Sequence, residues 1–242
     1  MPEANNVAAA KPERSVNRLI DALSRKDRDR LLQRCEPVDL AFGEILCEPR
    51  LPVQHAYFPL TGFISLVATM AGHRPLEMGL IGNEGMLGAT LVLGVNAAPL
   101  RAVVQGNGTA LRLTAPQLRR QLRDSPSLPH TLQRYLYVLI GQLAKTAACN
   151  HFHEVQTRVA RWLLMTHDRA HADHFHLTHD YLAGMLGVRR SGITIAAGAL
   201  QRRKLIHYSR GEITILDRKG LEAACCECYD AAIDDYARLS HE

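Results

Sequence analysis

The side chains able to do chemistry in this sequence fall into a few clusters. Arg189, Arg190 and Ser191 stand together, Thr194 and Ile195 follow within one helical turn, and Arg202, Arg203 and Lys204 come next. A guanidinium presents a rigid fork of donors that fits a phosphate or the edge of a guanine, a hydroxyl adds a single donor, and an exposed aliphatic group meets a thymine methyl. That combination reads a polyanionic surface; it does not make or break bonds.

Two further clusters carry possible metal ligands. His167, His171, His174, His176 and His179 lie within thirteen residues, the first two one helical turn apart as two ligands would be. No cysteine joins them, and only Asp168, Asp173 and Asp180 add oxygens, so a solvated linker is the reading. Cys225, Cys226 and Cys228 crowd near the C-terminus. Adjacent residues on a helix diverge by about 100°, and a closed metal site would need ligands from elsewhere. These thiols read as packing, and neither a metal nor a cofactor is expected. The sequence has no nucleophile elbow, no glycine loop leading into a phosphate-binding lysine and no carboxylate pair in an apolar setting. No catalytic residue is assigned, and an enzyme is not expected.

The elements that must position these groups occupy a chain of 242 residues, long enough for two domains that each bury a core. The formal charge of +5 and pI near 9.0 tilt toward a polyanionic partner. Six cysteines without a secretory leader point to a reduced, cytoplasmic protein, and the opening MPEANNVAAAKPE reads as a frayed tail. Residues 51–73 lack Asp, Glu, Lys and Arg, yet prolines, a glycine and polar residues interrupt them too often for a membrane span, so they read as buried strands.

From Arg14 to Gln33, Val16, Leu19, Ile20, Leu23, Leu31 and Leu32 recur at helical spacing, with Ser24 and Asp27 placed to cap a second short surface helix. Short β-prone runs between Val38 and Leu113, HAYFPL, GFISLVATM, PLEMGLIG and LRAVVQ, are separated by turn residues as in a sandwich or barrel. Thr114 caps a helix to about Arg123, and a long helix follows Pro129. Leu132, Leu136, Leu139 and Leu143 alternate steps of four and three, the seam of a two-stranded coil or an ordinary core stripe. A further amphipathic helix over 154–170 holds Trp162, read as core. The domains are therefore placed at 14–128, 129–152 and 153–238.

Beyond it the window from His179 has apolar Leu182, Leu186, Val188, Ile193 and Ala196, small Ala183, and Gly187 where the chain must turn left-handed. This is the hydrophobic plan of a helix-turn-helix. LIHYSRGEITIL then reads as a hairpin turning at Ser209-Arg210-Gly211, which makes the motif winged. Between 177 and 216 six basic side chains stand against Asp180 and Glu212 only. Double-stranded DNA is the partner this charge suits.

A β-rich first half, a long linking helix and LTHDYLAGMLGVRRSGITIAAGALQRRKLI followed by a wing resemble the CRP/FNR family of bacterial transcription regulators, from about Leu19 onward. The resemblance implies an α+β chain: a cyclic-nucleotide-binding-like jelly roll, a dimerisation helix and a winged helix-turn-helix. It further implies a homodimer on a palindromic operator, with RNA polymerase as a partner. Arg189, Arg190, Ser191, Thr194, Ile195 and Arg210 become the DNA contacts, and Leu132, Leu136, Leu139 and Leu143 the dimer seam. Gly82, Glu84, Gly85 and Arg101 become the effector pocket.

The sequence also departs from the family. Its recognition helix typically starts Ser-Arg-Glu, and of that set only Arg190 survives, so the best-known half-site of the family is not expected. Arg189 stands where a capping serine would be, and Ser191 is expected to cap the helix instead. Ala98 and Pro99 replace the pair that neutralises a cyclic phosphate, which argues against cyclic AMP and leaves the effector unknown. Only Cys35 and Cys47 precede residue 149, which argues against the family's N-terminal iron-sulfur cluster. A cyclic-nucleotide-responsive regulator with a non-standard phosphate site, a nucleotide-binding module acting on proteins, and a metal- or redox-sensing regulator on the same scaffold remain as alternatives.

Overall fold

The computed structural model describes residues 17–241; the tail, the expected domain start at residue 14 and Val16 lie outside the described residues. Helices α1 (Arg18–Asp21) and α2 (Arg25–Leu32) open the chain. The Asn17 side chain caps α1, and its amide donates to the carbonyls of Pro59 at 3.0 Å and Gly85 at 2.8 Å. Ser24 caps α2 as expected. Leu19, Ile20, Leu23 and Leu31 are buried in the roll's core, so these helices turn mainly their charged faces to water, with Leu32 exposed beside them.

Seven strands follow: β1 (Glu36–Leu40), β2 (Ile45–Cys47), β3 (His55–Pro59), β4 (Phe63–Ala68), β5 (Leu76–Ile81), β6 (Arg101–Gly106) and β7 (Gly108–Thr114). They form two antiparallel sheets, ordered β1-β7-β3 and β2-β6-β4-β5, as in a jelly roll. The uncharged stretch 51–73 supplies β3 and β4, whose Phe58 and Ile64 are fully buried. β1 and β7 carry more polar side chains and β2 is only three residues long, so no long apolar run announces them.

Thr114 and Gln117 form a reciprocal capping box at the start of α3 (Ala115–Asp124). The long helix α4 (Ser127–Phe152) starts just before Pro129, which falls in its first turn, where a missing N–H costs nothing. Its cap comes from α2: the Ser127 hydroxyl donates to Asp27 Oδ2 at 2.6 Å and its N–H at 3.3 Å. That hydroxyl, foremost, holds the Asp27 carboxyl below the usual carboxylate range. Asp27 thus caps the wrong helix by the sequence reading and ties the chain's start to α4.

The leucine stripe of α4 faces its own chain. Leu132 and Leu136 are buried with Tyr135 in the roll's core, and Leu139 and Leu143 line a small cavity inside the roll. The expected dimer seam is therefore an intrachain one, because the β-rich half needs a helix to cover its open face. Gln142 completes the stripe, donating to the Leu80 carbonyl at 3.3 Å.

The remainder runs α5 (Val155–Ala170), β8 (His174–His176), α6 (His179–Leu186), α7 (Arg190–Arg202), β9 (Ile206–Ser209), β10 (Glu212–Ile215), α8 (Arg218–Glu222) and α9 (Cys228–His241). β8 joins the hairpin as a third strand, in the order β8-β10-β9. Among the described residues no helix is long and apolar enough to cross a membrane.

Trp162, Leu163, Leu182, Ile193, Leu200 and Ile213 form one core with Phe63 and Leu80 of the roll. At this junction the Trp162 indole donates to Glu77 Oε1 at 2.8 Å, and the Ser65 hydroxyl donates to Glu77 Oε2 at 2.6 Å. Burial pushes the Glu77 carboxyl from its ordinary 4.5 up to about 7. A carboxyl with a raised folded value stabilises most below its unfolded value, and that stabilisation is lost as pH rises through about 7. Glu77→Gln keeps the acceptor for Trp162 without the charge, so it should flatten the fall in urea midpoint between about pH 5 and about pH 7. A variant whose midpoint falls as steeply as that of the parent would show that Glu77 is not the titrating group.

Candidate DNA-binding interface and sensor pocket

α6 and α7 meet at the turn foreseen at Gly187, which takes φ +63° and closes α6 by donating to the Ala183 and Gly184 carbonyls. A Cβ at Gly187 would also stand 2.8 Å from Leu76 of β5, so the turn suits glycine in space as well as in conformation. Leu182, Ala183, Leu186, Ile193 and Ala196 are buried, and Val188 partly so. The Thr178 hydroxyl accepts from Tyr181 N and caps α6.

α7 starts at Arg190, with extended Arg189 as its cap residue; the Arg189 carbonyl accepts from the N–H of Gly192 at 2.9 Å. Ser191 therefore lies inside the first turn and does not cap the helix. The turn after Gly187 is long enough for only Val188 and Arg189 before helical bonding begins, which overrides the side-chain preference. Arg189, Arg190, Ser191, Thr194 and Ile195 are all exposed on one face, Ile195 to 71%.

Thr194 is not free to rotate. Its hydroxyl donates to the Arg190 carbonyl at 3.1 Å and lies 3.0 Å from His179 Nδ1. The His179 ring stacks on Tyr208 of β9 with centroids 4.1 Å apart, and burial, with the Arg190 charge second, lowers its pKa. A neutral ring donating from Nδ1 to Thr194 satisfies both partners. His179 and Tyr208 thus brace α7 against the wing. In the sequence His179 stands out only as one of the clustered histidines and Tyr208 not at all, because a stacked pair 29 positions apart leaves no local pattern.

The wing turns at Arg210 and Gly211, with φ +51° and +86° between the paired Ser209 and Glu212. Two left-handed residues make the tight turn whose twist matches a hairpin. Arg210 is exposed at its tip. His174 and His176 alternate along β8 and bracket Glu212 at 2.7 Å and 2.6 Å, while His167 pairs with Asp173 at 2.7 Å. Three of the histidines read as linker are thus tied to acids of the wing and its approach.

Of the four residues expected to form an effector pocket, Gly82, Glu84 and Gly85 share one turn, and Arg101 is engaged with another partner. Glu84 turns away from the roll's interior to form a buried ion pair with Arg169 of α5 at 2.7 Å, and it accepts from Gly82 N–H at 3.1 Å. A Cβ on Gly85 would strike the Tyr135 ring on α4, and Arg101 pairs with Glu48 at 2.9 Å. The roll's interior holds a cavity of about 60 Å³ lined by Cys47, Leu66, Met86, Ala98, Pro99 and Leu139 among others, apolar almost throughout.

The C-terminal thiols also differ from expectation. Cys226 and Cys228 meet Cys149 and His153 from the end of α4, and the four ligand atoms lie within 4.8 Å of one another. Helix divergence does not separate Cys226 from Cys228, because both precede or open α9 at an irregular bend. The 3.6 Å contact between the two thiols lowers the pKa of Cys149 and raises that of Cys226.

Residues 157–224 match the Crp-like helix-turn-helix domain family. Solved structures share the fold across both domains. A regulator assigned to the CRP/FNR family from Eubacterium rectale is 17% identical, covers 85% of this chain and 96% of its own, and superposes with a TM-score of 0.67. FixK2 from Bradyrhizobium japonicum is 14% identical, over 79% of this chain and 98% of its own, with a TM-score of 0.66. Residues 157–224 are thus a Crp-like helix-turn-helix domain, and the chain as a whole has the fold of these regulators. A third relative in fold, a CRP/FNR-family transcriptional regulator from Thermus thermophilus, is 23% identical over 81% of this chain and 98% of its own, with a TM-score of 0.61. No curated protein matches the sequence. α6 and α7 are the two helices of the matched helix-turn-helix domain.

Proposed function

We propose that this chain is a dimeric, sequence-specific DNA-binding regulator of the CRP/FNR family acting in the cytoplasm, without catalysis of its own and with a sensor that does not take a cyclic nucleotide. The single observation that carries the reading is the exposed face of α7, where Arg189, Arg190, Ser191, Thr194 and Ile195 stand side by side with no acidic neighbour on the helix. Arg190 is the residue for a bidentate contact with a guanine, and Ile195 for a thymine methyl. Thr194, already engaged by His179, serves to fix the helix and offers its methyl. Arg202 and Arg203, about three turns on, meet phosphates, as does Arg210 from the wing.

Dimerisation is assigned to the face of α4 left uncovered. Tyr137 at 80% and Ile140 at 63% exposure are followed by exposed Ala144 and Ala147, again alternating three and four. Small alanines let two such helices approach closely. This face replaces Leu132, Leu136, Leu139 and Leu143. Two copies would present two α7 helices to a palindromic operator and the pair to RNA polymerase.

Three outcomes test the reading. Arg190→Ala should cost roughly 1 to 3 kcal/mol on the preferred operator and flatten selection at one base pair per half-site, whereas Arg202→Ala should weaken all sequences alike and lower the salt slope by about one. Binding-site selection with both variants decides it; loss of preference confined to Arg202→Ala would reverse the placement of α7. Ile140→Glu should yield a folded monomer by sedimentation, while Leu136→Glu should unfold the roll; a dimer that survives Ile140→Glu sinks the assigned face. Calorimetry with cyclic AMP should show no binding, since the interior cavity is far below the few hundred Å³ that small-molecule sites need and Ala98 and Pro99 offer no charge. A micromolar dissociation constant would mean that the roll opens and another cation serves the phosphate.

A further inference from the structure

We infer that Cys149, His153, Cys226 and Cys228 bind one zinc ion in a closed tetrahedral site that pins the C-terminal segment to the corner between α4 and α5. The geometry points to a single ion. With Zn–S near 2.3 Å and Zn–N near 2.0 Å, the edges of a regular tetrahedron are about 3.8 Å between sulfurs and about 3.5 Å between sulfur and nitrogen. Cys149 Sγ lies 3.6 Å from Cys226 Sγ, and Cys228 Sγ lies 3.6 Å from His153 Nδ1. An iron-sulfur cluster holds its thiolates around several metal atoms and needs wider gaps than these. Three thiolates and an imidazole in tetrahedral array select zinc among common cellular metals.

The surroundings agree with that ligand set. His153 turns its other nitrogen, Nε2, to Glu227 Oε1 at 3.1 Å, which fixes the tautomer that leaves Nδ1 free for a metal. Cys149 and Cys226 are buried, so no water competes from their side. Three thiolates on a dication leave one negative charge, and α5 supplies the opposite sign nearby. Arg158 and Arg161 are buried, neither has a carboxylate within ion-pair reach among the described residues, and each keeps an Nε without a partner.

Position gives the site a consequence. His153 is itself the extended residue at the end of α4, and α5 begins at Val155. Cys226 and Cys228 lie where the chain enters α9, which lies along α4 with Lys145 reaching the Ala231 carbonyl at 3.0 Å and the Asp235 carboxylate. A bound ion therefore locks the one corner through which the sensor half continues into the DNA-binding domain. Loss of the ion frees both that corner and α9.

The test uses the full chain purified under reducing conditions from zinc-supplemented medium. Elemental analysis should find one zinc per chain, and exchange with cobalt should give the visible bands of a tetrahedral ion with thiolate charge transfer. Cys149→Ser combined with Cys226→Ser should abolish both signals. Because that pair is buried and the variant could misfold, two milder changes keep the test sharp. His153→Cys should retain the metal with added thiolate charge transfer, and Glu227→Gln should retain it with affinity reduced roughly 10- to 100-fold. Hydrogen exchange in α9 should rise on chelation in the parent only. The proposal fails if the folded, reduced parent takes up neither zinc nor cobalt, if it carries iron with acid-labile sulfide, or if the double variant keeps its metal. Each of these readouts is independent of DNA binding.

Discussion

The buried stripe of α4, from Leu128 through Leu132, Tyr135 and Leu136 to Gln142, is the contact on which the rest of the molecule rests. It closes the open side of the roll, and a helix advances about 100° per residue, so burying one stripe fixes where every other side chain on α4 must point. Tyr137 and Ile140 are thereby turned to solvent, and Cys149 and His153 are brought round to the side where α9 returns. A rotation of one residue would exchange the buried and exposed faces and scatter the thiols. The Asp27 cap on Ser127 and the Gln142 bond to the Leu80 carbonyl hold that rotation at two separate points.

The junction between the halves combines apolar burial with two polar locks. Trp162 gives its indole N–H to Glu77, and Arg169 pairs with Glu84, both across the line between α5 and the roll. Breaking either would strand a buried charge or donor, which costs more than the intact contact contributes. Glu84, which the sequence offered for an effector pocket, here helps to hold two domains together. Whatever alters the junction or the corner at His153 would act on both halves.

The helix-turn-helix was legible because its determinants are local: left-handed Gly187, small Ala183, and apolar side chains at fixed intervals along two short helices. The strands of the roll with apolar runs, the Thr114 cap and the wing turn were legible for the same reason. β8 was not, since His-Phe-His has one apolar residue and becomes a strand only because β10 offers it an edge. Glu84 looked like a ligand residue in sequence and is instead the partner of a side chain 85 positions away.

The sequence by itself determined the periodicities: where the strongly patterned helices and strands lie, which glycine turns left, where positive charge gathers. It also contained every ligand of the Cys149, His153, Cys226, Cys228 cluster. Only the tertiary structure decided which of two equally regular stripes on α4 is inside, that Arg189 rather than Ser191 precedes the first turn of α7, and that thiols 77 positions apart share one site. The reason is that spacing along a chain fixes direction only within one rigid element. Which way that element is rolled, and what returns to lie beside it, depends on the total apolar surface that the whole chain can remove from water.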